Sequence, residues 1–317
     1  MFQKYVNNCE SSCFYAQKGL KIKINLRQCR FFRNFANPAY FPAGKKQKKM
    51  KTNKVLFITQ EITPFVQEST IANIGRSLPQ ATQESGKDIR LFMPKWGIIN
   101  IRRNQLHEVK RLTGMNLIID DTDHPLIIKV ASLQAAHMQV YFIDNDDYFQ
   151  NRLMTTDEQG NEYADNDERA IFFSRGVLET VKKQHWCPDI IHCHGWISAL
   201  TPLFIKSAYK DEPSFRESKV VLSLYDDNFA GAFADNFLQK VLYKDMGAEL
   251  LDGAQTPFTY EELAKLAIRY SDGIVINGDN VSPALIEYAQ SLGKPILPKT
   301  DDENYAEECN NFYETIL

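Results

Sequence analysis

Long apolar runs and abundant cysteines are both missing from this sequence of 317 residues. No stretch approaches the roughly 20 apolar residues that a membrane-spanning helix needs. Three of the 6 cysteines lie within the first 29 residues, which leaves an odd number for the rest of the chain. This number and the spacing argue against a disulfide framework and against a zinc site. We therefore expect a cytoplasmic protein with free thiols and without membrane association.

Outside the first 49 residues, acidic residues outnumber basic ones. The first 49 residues hold eleven Lys and Arg against one acidic residue, whereas residues 50–317 hold 26 basic and 39 acidic residues. The main part therefore has no basic patch, and we expect no nucleic-acid partner. The basic leader is open to three interpretations, namely a targeting peptide, a nucleic-acid arm, or disordered sequence translated from a start codon set too early. We favour the third, because Met50 stands four residues before the first predicted strand.

Glycine is missing from the turn between the first predicted strand and the first predicted helix. Residues 54–79 predict a buried strand, a turn and an amphipathic helix, which is the opening unit of a nucleotide-binding α/β domain. Such a turn usually holds phosphate with backbone N–H groups that only glycine leaves accessible, and a lysine supplies the counter-charge. Here the tip is Gln67-Glu68-Ser69-Thr70. The scaffold of a nucleotide site is therefore predicted with altered chemistry.

Short apolar strands alternate with helices along the rest of the chain, which predicts an α/β fold with a doubly wound, mainly parallel sheet. Ligands of such sheets bind beyond the carboxyl ends of the strands, here residues 59–70, 192–196, 224–231 and 277–280. The predicted strands are 88–94, 126–131, 139–143, 189–194, 219–224, 273–277 and 295–297, and the helices are 168–183, 196–209, 260–270 and 283–291.

Two further stretches carry a family resemblance. Residues 141–175 contain Y-F-I-D-N, E-R and F-F-S-R, and residues 188–200 read PDIIHCHGWISAL. Both resemble the bacterial glycogen and starch synthases, glycosyltransferase family 5, whose second motif is P-D-(I/V)-(I/V)-H-A-H-D-W-H. The resemblance covers residues 53–298 and implies a single Rossmann-like domain, the N-terminal half of a GT-B glycosyltransferase. The expected organisation is a leader 1–49, this domain at 50–300 and a C-terminal helical tail at 301–317.

The residues that would hold ligand depart from the family. The family loop K-T-G-G-L places its lysine on Gln67 and its glycines on Ser69 and Thr70, and its aspartate falls on Asn73. The family motif T-(I/V)-H-N-x-x-Y-Q-G-x-F matches Gly231 but has its histidine and asparagine at Tyr225 and Asp226. The resemblance implies these seven positions, including Gly231, as the substrate-binding set.

The resemblance also implies that His194, the second histidine of its motif, contacts the transferred glucose. His192 and His194 form an H-x-H pair, which raises the alternative of a metal site. A third ligand at a fixed spacing is missing, and the family transfers glucose without metal, so no metal and no cofactor is expected.

The family activity would be α-1,4-glucan elongation from ADP-glucose as the donor substrate. However, the resemblance includes nothing of the family's second domain, and no two glutamates have the spacing of its E-x7-E motif. The alternative is a non-catalytic glucan-binding or regulatory half-synthase that needs a partner chain carrying the second domain. A scaffold or sensor that keeps only the fold is a third interpretation, since fold alone does not decide function.

Overall fold

The computed structural model describes residues 12–17, 20–25, 54–227, 229–301 and 303–317. The chain divides into two compact units, Met1–Lys51 and Thr52–Leu317. In the first unit, β1 (Ser12–Gln17) and β2 (Leu20–Asn25) pair antiparallel. Most of the leader lies outside the described residues, so its proposed origin and disorder stay predictions.

The second unit is built on one large sheet flanked by helices. Its described strands are β3 (Lys54–Thr59), β4 (Asp88–Pro94), β5 (His107–Glu108), β6 (Met115–Ile119), β7 (Thr122–Leu133), β8 (Met138–Asp144), β9 (Ile190–His194), β10 (Lys219–Leu224), β11 (Gly273–Ile276) and β12 (Ile296–Leu297). Its described helices are α1 (Thr70–Glu84), α2 (Asn166–Lys183), α3 (Thr201–Lys206), α4 (Phe237–Lys240), α5 (Tyr260–Tyr270), α6 (Pro283–Ser291) and α7 (Tyr305–Ile316). Within these described residues, no helix is both long and apolar enough to cross a bilayer.

Most of the large sheet is parallel, and only the strands beyond β8 at one edge are antiparallel. Its parallel part has the order β8-β4-β3-β9-β10-β11-β12, and β7 pairs antiparallel with β8 and carries β5 and β6. Along the chain, β4 and β8 are added on one side of β3, and β9 to β12 are then added on the other side. This reversal is the topological switch point of a doubly wound sheet. The predicted fold class is confirmed.

Burial explains why the strands were readable from sequence. All residues of β9 are buried, as are Val55 to Thr59 of β3, because helices cover both faces of a parallel sheet. The prediction of one helix over 196–209 is wrong. The chain forms a 3-10 turn at Trp196–Ser198 and starts α3 only at Thr201. Pro202 has no N–H to donate and a fixed φ, so it suits the first turn of a new helix rather than the middle of an old one.

A buried arginine ties the long connection after β8 to the start of α2. The Arg169 side chain has no solvent exposure. Its guanidinium donates to the carbonyls of Tyr148 (3.0 Å), Met154 (2.7 Å) and Leu153 (2.7 Å), and to Oδ1 of Asn166 (2.7 Å). Burial lowers the pKa of Arg169 to about 10, which still leaves it charged at neutral pH. One cation therefore satisfies carbonyls that no helix or strand pairs, and holds the connection in one shape.

We expect Arg169→Lys to lower the free energy of unfolding by about 3 kcal/mol or more, because an ammonium group cannot reach all four acceptors and leaves buried carbonyls unpaired. Urea denaturation measures the change. The matched control is Arg216→Lys, whose side chain is 62% exposed and should change stability by less than about 0.5 kcal/mol. Equal effects of the two substitutions would contradict the anchoring role of Arg169.

Candidate functional site

Polar side chains gather where β3, β9, β10 and β11 end, next to the switch point. Thr59 and His194 are register partners at the ends of β3 and β9, and the Gln60 N–H donates to the His194 carbonyl at 3.0 Å. Beside them lies an open groove of about 380 Å³, whose lining includes Tyr225, Asp226 and Gly231. The structure thus brings predicted site residues from three separate segments to one edge of the sheet.

Side chains of the loop between β3 and α1 hydrogen-bond to each other and to the start of α1. Ser69 is the N-cap of α1, where its Oγ accepts from the Ala72 N–H at 3.0 Å and donates to Oε2 of Glu61 at 2.5 Å. Gln67 and Thr70 are exposed, and so is Asn73 in the first turn of the helix. Ser69, which stands where the family has glycine, therefore has a clear local role in capping. Ligand binding by Gln67, Ser69, Thr70 and Asn73 stays a prediction.

Gly195, at the position of the family aspartate, has no room for a side chain. Its φ is +84°, a conformation that favours glycine, and a Cβ there would lie 2.6 Å from the Cβ of Gln60. The Gln60 amide in turn donates to Oε1 of Glu61 at 2.9 Å. The loops after β3 and β9 therefore fit together only with glycine at this position.

His194 lies at the base of the site in a neutral form. It is 1% exposed, its Nδ1 lies 2.7 Å from the Tyr225 hydroxyl, and its Nε2 has no hydrogen-bond partner. Burial lowers the pKa of His194 to about 3, so the imidazole is uncharged at physiological pH. The ring can offer one donor and one acceptor but no positive charge. Its predicted contact with sugar stays a prediction.

A second layer of polar groups lies beneath His194 and includes residues that sequence reasoning missed. His192 lies 2.7 Å from the Tyr313 hydroxyl and 2.8 Å from Oγ of Ser223. The Asn277 amide donates to Ser223 and to the Tyr305 hydroxyl, both at 3.0 Å. Both tyrosines belong to α7, whose helical spacing of buried residues was visible in the sequence but whose packing partner was not. The C-terminal helix therefore completes the floor of the site.

Asp226 is engaged by the neighbouring loop. Its carboxylate accepts from the backbone N–H groups of Asp279 and Asn280, both at 2.9 Å. A Cβ on Gly278 would lie 2.2 Å from Oδ1 of Asp226, so a side chain at 278 and this carboxylate cannot coexist without a shift. The residues at 226 and 278 are thus sterically matched. The substrate contact of Asp226 stays a prediction.

Gly231 and its neighbour hold an internal carboxylate. The backbone N–H groups of Ala230 (2.6 Å) and Gly231 (3.1 Å) donate to Glu162, which sequence reasoning had not singled out. Two N–H groups that point at one oxygen group form a small anion-binding concavity. Glu162 occupies it in this structure, so a ligand oxygen that used these donors would have to displace the carboxylate.

Asp227, also missed from sequence, joins two walls of the site. Its carboxylate accepts from the Trp196 N–H at 2.8 Å and from the Tyr260 hydroxyl at 3.2 Å. Burial, with a smaller contribution from the nearby Glu61 charge, raises the pKa of Asp227 to about 6. Among the described residues, no cluster of His, Cys, Asp and Glu that could hold a metal ion is found.

A doubly wound sheet with polar loops collected at its switch point is the architecture of α/β domains that bind nucleotides and related ligands. The family model of the starch synthase catalytic domain matches residues 54–290. The chain therefore belongs to the starch synthase catalytic domain family, as the motifs predicted.

Curated relatives agree with this assignment. The glycogen synthase of Chlorobium limicola is 37% identical over 235 residues, covering 72% of this chain and 48% of the relative. That of Chlorobium luteolum is 38% identical over 203 residues, covering 64% and 42%. The chain thus spans about half the length of the curated relatives it matches.

A solved structure shows the same fold. The catalytic domain of starch synthase IV from Arabidopsis thaliana, bound to ADP and acarbose, superposes with a TM-score of 0.63 at 17% identity. The match covers 78% of this chain and 51% of that one.

We expect Gly195→Ala to cost about 3 kcal/mol or more of folding stability, since backbone strain adds to overpacking against Gln60. Gly86→Ala is the matched control, because Gly86 also has a positive φ, +91°, but nothing lies within 4 Å of a Cβ there. It should cost only about 1 kcal/mol. Thermal and urea unfolding compare the two variants, and equal losses would show that Gln60 does not impose the glycine.

The raised pKa of Asp227 predicts a pH-dependent stability. The folded protein binds this proton more tightly than the unfolded chain, whose carboxyl titrates near pH 4, so ionisation costs folding free energy. The cost is absent below about pH 4, grows up to about pH 6 and is constant above. The stability of the wild type relative to Asp227→Asn should therefore fall as pH rises from 4 to 7, measured by urea denaturation. A difference that does not change with pH would contradict this.

Proposed function

We propose that this chain is the N-terminal half of an ADP-glucose-dependent α-1,4-glucosyltransferase of the glycogen synthase type, acting on a glucan in the cytoplasm. In this proposal residues 50–300 form the synthase half and residues 301–317 its helical tail. Membership of the family carries the proposal, together with relatives that are named glycogen synthases. The ADP and acarbose bound to the Arabidopsis neighbour support a nucleotide donor and a glucan acceptor.

The site supports part of this chemistry. Glucosyl transfer develops positive charge on the sugar and negative charge on the leaving diphosphate, so the enzyme must stabilise both. Asp226 and Glu261 supply negative charge to the groove, and neutral His194 can hydrogen-bond a sugar oxygen without repelling a cationic centre. The described residues that line the groove include Asp226 and Glu261 but no Lys or Arg. The leaving group therefore needs a cation from elsewhere.

This charge imbalance favours a second candidate, a half-synthase that binds glucan and depends on a partner chain for transfer. Residues 60–73 contain no basic side chain, and the Gln67 position offers none where the family has lysine. A partner carrying the second domain would bring the missing charge and close the cleft against water.

One experiment separates the two candidates. The full chain is incubated with labelled ADP-glucose and glycogen, alone and with the separately produced second half of the Chlorobium limicola glycogen synthase. Incorporation of glucose by the chain alone supports the transferase, and incorporation only in the mixture with the second half supports the half-synthase that needs a partner. Retention on glycogen without incorporation in both supports the binding module, and neither retention nor incorporation would contradict both candidates.

We expect Gln67→Lys to raise the affinity for ADP-glucose about tenfold, because a charge-assisted hydrogen bond to phosphate is worth roughly 1.5–3 kcal/mol. Isothermal titration calorimetry measures the binding. Gln134→Lys is the matched control, since Gln134 is exposed in the turn between β7 and β8, at the amino end of β8 and so at the opposite edge of the sheet. An equal gain in both variants would indicate attraction by net charge alone.

A further inference from the structure

A buried lysine without an ionic partner lies at the carboxyl end of β4. Lys95 directly follows this strand and is 6% exposed. Its ammonium group forms no hydrogen bond and no ion pair with any residue that the structure describes. Lysines are almost never buried unless they are paired, because an unpaired charge loses its hydration without compensation. Such a lysine is therefore a candidate for contact with a ligand.

The sheet places Lys95 beside the loop between β3 and α1. The Lys95 N–H donates to the Ile143 carbonyl at 2.8 Å, which continues the ladder between β4 and β8 past the end of β4. The next residue, Trp96, donates from its indole N–H to the Gln60 carbonyl at 2.8 Å. Gln60 begins the loop in which Gln67 stands at the position of the family lysine. Lys95 is thus one residue away from a direct contact with that loop.

The carboxylate beside Lys95 is already engaged by another lysine. Asp144 is the residue of β8 next to Lys95 in the continued register, but its Oδ2 accepts from the ammonium group of Lys129 on β7. Its Oδ1 is buried without a partner among the described residues. Asp146 is exposed, so that solvent and salt screen its charge. Since Lys129 and Asp144 neutralise each other, Lys95 adds a positive charge that no described residue pairs.

We propose that Lys95 is the counter-charge of an anion site at the ends of β3 and β4, and that the anion is a phosphate group. The assignment of this phosphate to the diphosphate of a nucleotide sugar rests on the proposed function, whereas the anion site does not. In this role Lys95 supplies, from the neighbouring strand, the charge that Gln67 does not supply from the loop. The long stem of a lysine can stay buried while its ammonium group reaches a ligand.

Two properties of this edge of the sheet favour an anion. The loop beside Lys95 leads into α1, a helix of 15 residues whose first backbone N–H groups carry partial positive charge. Burial also lowers the pKa of Lys95, an effect to which Lys129 adds and which Asp144 and Asp146 oppose. A bound anion favours the charged form of the amine, so anion binding and protonation of Lys95 support each other.

Isothermal titration of inorganic pyrophosphate into the full chain tests the site. We expect Lys95→Met to lower the affinity about tenfold or more, because the substitution keeps a long apolar side chain but removes the charge-assisted hydrogen bond. Lys219→Met is the matched control, since Lys219 begins β10 at the amino edge of the sheet and the net charge changes equally. Equal losses in both variants, or no binding of pyrophosphate to the wild type, would overturn the proposal.

Thermal unfolding distinguishes a ligand contact from a structural role. Without ligand, Lys95→Met should unfold at or above the temperature of the wild type, because it removes a buried charge that is not paired. Pyrophosphate should raise the unfolding temperature of the wild type and leave that of Lys95→Met unchanged. An unfolding temperature of the ligand-free variant well below that of the wild type would show that Lys95 holds buried acceptors such as Oδ1 of Asp144, and would count against the proposal.

Titrations with ADP and ADP-glucose separate this proposal from the proposed function. Weaker binding of both nucleotides to Lys95→Met supports a contact with the diphosphate. Binding of ADP-glucose that Lys95→Met leaves unchanged would overturn the role of Lys95 and leave the proposed function intact. Binding of pyrophosphate through Lys95 without binding of ADP-glucose would support the anion site and contradict the proposed donor.

Discussion

The parallel pairing of β3 with β9 is the constraint on which the site depends. It places the ends of the first and fourth parallel strands side by side, and the bond from Gln60 to the His194 carbonyl continues the ladder one residue past β3. The loops that follow must then pack in contact, which is why Gly195 lies against Gln60. Every other feature of the cleft is built on these two adjoining loops.

The residues that depart from the family motifs near the ends of β3 and β9 have partners in the neighbouring loops, which gives a physical reason for these residues. Ser69 caps α1 while bound to Glu61, Asp226 is held by the backbone at 279 and 280, and Gly278 leaves the space that Asp226 needs. Changes that occur as sterically matched sets keep buried groups paired. The residues that replace family-motif residues here therefore have new local partners, whereas Nε2 of the buried His194 has none.

The rebuilt site has a consistent electrostatic character. Carboxylates line the groove at Asp226 and Glu261, His194 is neutral, and the first loop supplies no cation. Such a site suits a sugar with developing positive charge better than a diphosphate. This is the physical reason for proposing that the chain acts together with a second domain, on the same chain or another, that contributes positive charge.

The sequence by itself determined the parallel strands, β7 and most of the helices, but not β1, β2, β5 or β6. Continuous apolar runs such as β9 and the helical repeat of α5 report burial directly. It also determined the family, through motifs whose residues stay close to the pattern. Tertiary structure decided the rest. Glu162, Asp227, Tyr305 and Tyr313 become site residues only through partners 28 to 121 positions away. The roles of Gly195 and Asp226 likewise depend on neighbours that local spacing does not reveal, since periodicity records which side of an element is buried and not what it is buried against.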